Sequence, residues 1–125
     1  TTIYLIGGSL DKNIYAFDTI NQTVTKVWDY DSSIIGDFYY YTGFSVGNMI
    51  YLFGGMNNSN RIYTFDTTTN TLALYTQTLS HSMNFSPAVA KIDDNTFYIL
   101  GDTYAEKVYF ATNILYKQIT STDVN

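Results

Sequence analysis

The chain has 125 residues, of which 46% are apolar and 18% aromatic, so it is long enough to form one domain with a buried core. Six Lys and Arg against eleven Asp and Glu give a net charge of −5, which argues against a nucleic-acid partner because the basic footprint for phosphate is missing. The lack of Cys excludes disulfides, thiolate nucleophiles and Cys-based zinc sites.

The first part of the chain, 1–28, is predicted to form three short strands. Runs rich in Tyr, Ile, Val, Phe and Thr, bounded by Gly, Asn and Asp and without helical periodicity, are typical of β-strands. We place these strands at 3–7, 14–18 and 24–28. Asp18 begins the turn before the third strand, where its carboxylate can accept backbone N–H bonds from two residues on and fix a tight turn.

Two further units follow, each with four predicted strands. In the second unit, about 42–77, Gly47-Asn48 lies between two apolar runs and is a strong hairpin signal. Its turn at Asp66 repeats the turn at Asp18. The predicted strands of this unit are 42–47, 49–54, 61–66 and 72–77. Those of the third unit, about 86–119, are 86–92, 96–101, 107–111 and 114–119.

One sequence motif recurs at a fixed spacing, at Ile3–Gly8, Ile50–Gly55 and Phe97–Asp102. Its first glycine returns every 47 residues, and a period in the range of about 20–50 residues indicates stacked or radial repeats. At the end of an inner strand the backbone turns sharply and neighbouring sheets come too close for a Cβ, which favours glycine. The predicted structural glycines are Gly7, Gly8, Gly54, Gly55 and Gly101.

A unit of four antiparallel strands in about 47 residues has the size of a β-propeller blade. The double glycines, together with the aromatic–Asp pairs Phe17-Asp18 and Phe65-Asp66, resemble a kelch repeat. The resemblance covers most of 1–125, which we treat as a single repeat domain. It implies an all-β chain of kelch-like propeller blades, a partial propeller of about 2.7 blades, since the first unit lacks its first strand.

So few blades cannot close a ring, because propellers use about four to eight. The end blades would expose apolar faces and unpaired edges that recruit other chains. Three arrangements stay open. The remaining blades belong to a longer chain, or neighbouring copies complete a homo-oligomer or filament, or the repeat forms a layered β-fibre.

The connections between second and third strands, and between units, should emerge on one side, which we call the loop face. In kelch-like proteins such a face often binds a partner. Aromatic rings beside carboxylates can stack on a sugar or grip a peptide, although they can equally fill the gap between sheets as core. The candidate binding residues are Trp28, Tyr30, Asp31, Asp37, Tyr39, Tyr40 and His81.

Catalytic, metal and cofactor sites are not expected. His81 is the only His, and no G-x-S-x-G elbow or phosphate-binding loop occurs. Asp29, Asp31 and Asp37 resemble part of a calcium loop but lack its Gly and terminal Glu. We therefore expect a non-catalytic scaffold for protein or glycan contact. The alternatives are a self-assembling structural subunit and a part of a larger propeller enzyme whose catalytic groups lie elsewhere.

The composition bears on the compartment. The neutral polar composition favours an extracellular or cell-surface setting, where the sequons at Asn21 and Asn57 could carry glycans. A third sequon, at Asn84, is followed by Pro87 and is a poor acceptor. No apolar stretch reaches about 18 residues, so we expect no membrane insertion.

Overall fold

The structure is a computed structural model that describes residues 1–8, 11–36, 39–56, 60–83, 86–101, 105–110 and 114–119. Within these ranges the regular structure is β-strand, and no helix there is long and apolar enough to cross a membrane. The strands are β1 (Thr2–Ile6), β2 (Ile14–Asp18), β3 (Thr23–Trp28), β4 (Tyr41–Val46), β5 (Met49–Gly54), β6 (Arg61–Asp66), β7 (Thr71–Thr78), β8 (Ala88–Asp93), β9 (Thr96–Leu100), β10 (Ala105–Phe110) and β11 (Ile114–Ile119).

These strands form three antiparallel sheets, which confirms the predicted all-β class. The first sheet contains β1, β2 and β3, the second contains β4 to β7, and the third contains β8 to β11. In each sheet every strand pairs with its neighbour in sequence, and no sheet closes on itself among the described strands. The observed strands begin and end within about two residues of the predicted bounds.

The turns between the strands have the predicted chemistry. Gly47 lies between β4 and β5 with φ +55°, a left-handed conformation that glycine adopts without a steric cost. The Asp18 carboxylate accepts the N–H of Ile20 at 2.8 Å. The Asp66 carboxylate accepts the N–H of Thr68 at the same distance of 2.8 Å. Each Asp thus fixes the turn that follows its strand.

The second sheet lies between the other two and is apolar on both faces. Successive side chains of a strand point to opposite faces, and β5 follows this rule. Ile50 and Leu52 join the cluster shared with the first sheet, while Tyr51 and Phe53 join the cluster shared with the third. This two-sided burial explains why the strand is a nearly continuous apolar run rather than an alternating one.

The first cluster fills the gap between the first and second sheets. Its buried members come from both sheets and from the connection between them, and are Ile14, Ile35, Leu52, Tyr63, Phe65 and Leu72. Tyr4 of β1 meets Phe65 edge-on, with ring centroids 5.8 Å apart. Burying each such side chain contributes about 1.5–3 kcal/mol, so this gap is a main source of stability.

The second cluster fills the gap between the second and third sheets. Its buried members are Phe53, Ile62, Leu79, Met83, Ile99 and Val108. Phe44 of β4 also stacks on the buried Phe97 of β9, with ring centroids 3.4 Å apart. The two gaps use matching positions of successive units, since Ile50 and Phe97 occupy the same place in the 47-residue repeat.

Candidate functional site

Three connections that are distant in sequence meet at one end of the sheets. Residues from the β1–β2, β3–β4 and β7–β8 connections, with the adjoining strand ends, line a cavity of about 300 Å³, which we call the loop cavity. Its lining consists of Ile6, Gly7, Gly8, Tyr39, Tyr40, Tyr41 and Ser86. The volume is at the lower end of the range for small-ligand sites. The predicted loop face therefore brings Tyr39 and Tyr40 against the first double glycine.

The ammonium group of Lys12 contacts the rings of two of the predicted aromatic residues. Its Nζ lies 4.7 Å from the centroid of the Tyr30 ring and 4.9 Å from that of Tyr39, within the range of cation–π contacts. The sequence prediction missed Lys12. The signal was available, because the β1–β2 connection was expected on the same side as the aromatic segment. Lys12 therefore belongs to the candidate site.

Tyr40 is the exposed ring of the cavity and has an unusual backbone. Its φ is +59° and 53% of its surface is accessible. Among the described residues, Gln22 and Asn70 also have a positive φ without being glycine, and they occupy the same position of two equivalent tight turns. The N–H of Gly55 donates to the Tyr40 carbonyl at 3.1 Å and holds this conformation. Strained residues of this kind cluster at functional sites.

The segment 30–36 is fixed by its own contacts. The Asp31 carboxylate accepts the N–H of Ser33 at 2.8 Å and its hydroxyl at 2.7 Å, and these bonds lower the pKa of Asp31 below its ordinary value. Ile35 is fully buried in the first cluster. The hydroxyl of Tyr30 donates to the carbonyl of Gly36. Asp31 thus shapes the loop rather than facing the cavity lining.

Trp28 and Tyr30 lie between the loop face and the core. Both are half-buried and pack against the first cluster, and their rings meet edge-on with centroids 6.5 Å apart. The N–H of Tyr30 donates to the Asn13 side chain at 2.8 Å. The rings of Trp28 and Tyr30 therefore lie on the core side of the site, while Tyr39 and Tyr40 form its accessible part.

The other predicted residues are not brought into this cavity. His81 is half-buried on the β7–β8 connection, between Leu79 and Met83 of the second cluster in sequence, and does not line the loop cavity. Asn21 is exposed and its amide donates to the Asp18 carboxylate at 2.6 Å. Asp37 and Asn57 lie outside the described residues.

The predicted glycines have mixed roles. Gly7, Gly8, Gly54 and Gly55 all have positive φ, between +72° and +151°. A Cβ on Gly55 would lie 2.6 Å from the ring of Tyr41. The crowding at Gly55 therefore comes from the first strand of its own sheet, rather than from a neighbouring sheet as the sequence suggested. Gly101 is half-buried and follows the last residue of β9.

The charged side chains of the loop face do not form a metal site in the part of the chain that is described. No group of three or more His, Asp or Glu side chains there is arranged to hold an ion. Asp29 forms an ion pair with Lys26 at 2.5 Å, which raises the pKa of that lysine. Asp11 accepts the Tyr15 hydroxyl at 2.5 Å, which lowers the pKa of the carboxyl.

Comparison with known proteins adds no assignment to this geometry. No protein-family model matches the chain, and no curated protein is significantly similar to it.

Proposed function

We propose that the three sheets are consecutive blades of a kelch-like propeller and that the chain is a non-catalytic module which binds a protein or a glycan at its loop face. The blade proposal is supported by the stacking of three antiparallel meanders through equivalent positions of the repeat. The binding proposal depends on one observation. Tyr39 and Tyr40 line a cavity built from three separate connections, with Tyr40 exposed on a strained backbone.

The chemistry of the loop cavity suits recognition better than catalysis. Tyr rings supply a large contact area at low entropic cost, and their hydroxyls pair with polar groups of a peptide or a sugar. The neighbouring Gly7 and Gly8 leave room for a ligand to approach the backbone. Asp29 and Asp31 are committed to an ion pair and to a turn, so neither is poised as an acid or base.

A binding screen tests this proposal directly. The purified chain would be probed against a glycan array and a displayed peptide library, in parallel with Tyr40→Ala and with Ile20→Ala, in an exposed turn, as a surface control. We expect at least one ligand whose affinity falls about tenfold or more in Tyr40→Ala, which corresponds to about 1.4 kcal/mol, and is unchanged in Ile20→Ala. Ligands that bind both variants equally would show that the loop cavity is not the binding site.

A second function, self-assembly, is favoured by the two open end faces. The outer face of the first sheet exposes Ile3, Leu5 and Val24, which are 48%, 50% and 59% accessible. In the second sheet the equivalent positions, Ile50, Leu52 and Leu72, pack against the first sheet. The outer face of the third sheet carries Tyr98 and Leu100, equivalent to Tyr51 and Phe53. The ends thus offer the two halves of one repeated interface.

Such a contact is head-to-tail and would build a closed ring or a filament. Sedimentation of the wild type should show association that is lost in Leu5→Lys and in Leu100→Lys, but not in Ile20→Lys, which lies in an exposed turn. Mixing the two defective variants should restore a dimer, because each keeps the face that the other lacks. A monomeric wild type at micromolar concentration would rule out assembly.

A further inference from the structure

Two connections meet around one ammonium group on the loop face. Lys12 lies in the β1–β2 connection, and Tyr30 and Tyr39 lie in the β3–β4 connection. The Lys12 Nζ is 4.7 Å from the centroid of the Tyr30 ring and 4.9 Å from that of the Tyr39 ring. The negative face of an aromatic ring attracts a cation within about 6 Å, so this one ammonium group is shared by two rings.

The surrounding structure fixes the Tyr30 ring in this position. The N–H of Tyr30 donates to the side chain of Asn13 at 2.8 Å, and its hydroxyl donates to the carbonyl of Gly36. The ring packs against the first cluster and meets the ring of Trp28 edge-on, with centroids 6.5 Å apart. The bond to Asn13 also ties the segment that carries Lys12 to the segment that carries Tyr30. This ring face is therefore preorganised for a cation.

The charged groups around the rings favour a cation over an anion. The described carboxylates of the two connections are Asp11, Asp29 and Asp31, and all three are exposed. Hydrogen bonds from side-chain hydroxyls lower the pKa values of Asp11 and Asp31, so both carboxyl groups are charged near neutral pH. Asp29 pairs with Lys26 at 2.5 Å. Apart from Lys12, the described charges here are in negative excess, which agrees with the net charge of −5 for the chain.

We propose that Tyr30 and Tyr39 form a binding site for an alkylammonium group, the cation site, and that Lys12 occupies it as an internal ligand which an external cation displaces. The faces of aromatic rings recognise quaternary ammonium groups and methylated lysine. These groups carry the charge of the Lys12 ammonium but are less strongly hydrated. The cation site rests on the proposed function and names its ligand chemistry, since Tyr39 also lines the loop cavity.

The internal ligand determines how binding should respond to substitution. A group that is linked to its own site competes at an effective concentration of about millimolar when the link is short and flexible. The wild type should therefore bind an external alkylammonium group weakly, and removal of the Lys12 ammonium should strengthen the binding. A site that used Lys12 to hold an anionic ligand would respond in the opposite direction.

The test uses Trp28 as the reporter, because it is the one Trp in the sequence and its ring meets that of Tyr30. Tetramethylammonium chloride is titrated into the chain at constant ionic strength while the Trp fluorescence is followed. We expect saturable binding that becomes at least about fivefold tighter in Lys12→Ala but not in Lys12→Arg, which keeps an internal cation. Adding Tyr39→Leu to Lys12→Ala should weaken the binding at least about tenfold.

Lys91→Ala is the matched control, because it removes a lysine charge from the third sheet, where that side chain pairs with Asp94. Its affinity should equal that of the wild type, and uncharged tert-butanol should not bind to any variant. Capped Ala-Lys-Ala peptides, with the lysine unmodified, trimethylated or replaced by norleucine, identify the source of the cation. Tighter binding of the trimethylated peptide than of tetramethylammonium would assign the site to a lysine of a protein, whereas equal binding would assign it to a free amine.

Three outcomes would overturn the cation site. They are no saturable binding in any variant, equal affinity of the wild type and Lys12→Ala, and equal affinity after the loss of the Tyr39 ring. If Tyr39→Leu does not fold, the comparison of Lys12→Ala with Lys12→Arg still decides, because both keep the two rings. If none of these cations binds while the glycan and peptide screen yields a ligand that depends on Tyr40, the cation site is wrong and the proposed function stands.

Discussion

The rings of Phe44 and Phe97 lie nearly parallel across the gap between the second and third sheets, with centroids 3.4 Å apart and planes 10° apart. Phe44 comes from the edge strand of its sheet and Phe97 from an inner strand of the next. The pair therefore joins two sheets whose own hydrogen bonds do not connect them. Because Phe97 is fully buried, truncating its ring should show how much the packing between the second and third sheets contributes to stability.

The first prediction concerns this pair. Phe97→Ala should lower the free energy of unfolding by about 3–5 kcal/mol, since it removes a buried ring and leaves a cavity. Leu100→Ala, on the exposed face of the same strand, should change it by less than about 0.5 kcal/mol. Urea unfolding of both variants checks this. Equal, small losses would mean that the third sheet does not pack on the second in solution.

The second prediction concerns backbone crowding at Gly43. A Cβ there would lie 2.5 Å from the carbonyl oxygen of Tyr51 and 2.9 Å from a methyl group of Leu52. Gly43→Ala should therefore destabilise the chain by about 1–3 kcal/mol. Gly36→Ala is the matched control, because nothing lies within 4 Å of its added Cβ. Similar melting temperatures for the two variants would contradict the close pairing of β4 with β5.

The third prediction concerns a buried hydroxyl. Tyr63 is fully buried in the first cluster, and its hydroxyl has no hydrogen-bond partner among the described residues. Tyr63→Phe should raise the free energy of unfolding by about 1 kcal/mol, because an unsatisfied buried polar group is removed. Tyr15 takes the equivalent place in the first sheet, and its hydroxyl bonds to Asp11 at 2.5 Å.

Tyr15→Phe is therefore the control for Tyr63→Phe. It should lower the free energy of unfolding, because it removes the hydrogen bond to Asp11. Both variants lose the same atom, so chemical denaturation of the pair isolates the effect of the surroundings. A loss of stability in Tyr63→Phe would show that its hydroxyl has a partner in solution.

The strands were predictable because they depend on local signals. The runs of aromatic and β-branched residues, with Gly47-Asn48 between them, placed β4 and β5. The Asp18 and Asp66 turns repeat one local hydrogen bond. The loop cavity was only partly predictable. Tyr39 and Tyr40 stood out by composition, and the predicted side of the β1–β2 connection placed Lys12 near them. That Lys12 contacts two rings at once is a tertiary contact, which residue types do not specify.

The groove of about 600 Å³ between β1 and β4, which is lined by Tyr4, Ile6, Gly43 and Ile50, was not predictable from residue types. It lies beside β1, where the first sheet has three described strands and the second and third sheets have four each. The sequence pattern revealed the missing strand of the first unit. Only the packing of Tyr4 and Ile6 against the second sheet shows that the space beside them stays open.

The fourth prediction separates backbone strain from ring chemistry at Tyr40. A left-handed φ costs a residue with a Cβ about 1–2 kcal/mol, and Asn is among the few side chains that adopt it readily. Tyr40→Asn should therefore be more stable than Tyr40→Ala by about 1 kcal/mol in thermal unfolding. Neither variant keeps the ring, so both should lose ligand binding alike. Equal stabilities would mean that the φ of +59° is relaxed in solution.

The last prediction concerns acid stability at the two equivalent turns. Backbone N–H bonds from Ile20 and Thr68 lower the pKa values of Asp18 and Asp66 below the ordinary value of 3.8. A carboxyl whose pKa is lower in the folded state stabilises that state above its unfolded pKa, and the contribution disappears as pH falls through the folded value. Stability should therefore fall below about pH 4.

The double variant with Asp18→Asn and Asp66→Asn tests whether the loss of stability at low pH comes from these two carboxyl groups. Asn keeps an oxygen that can accept the turn hydrogen bond but carries no charge, so the turns should persist while the loss of stability below about pH 4 becomes smaller. The measurement is the urea midpoint from pH 7 to pH 2.5, repeated in 1 M salt. Because the bonds are local, salt should leave the difference between wild type and variant largely intact. A wild-type acid transition that salt abolishes would instead assign it to long-range repulsion between charges.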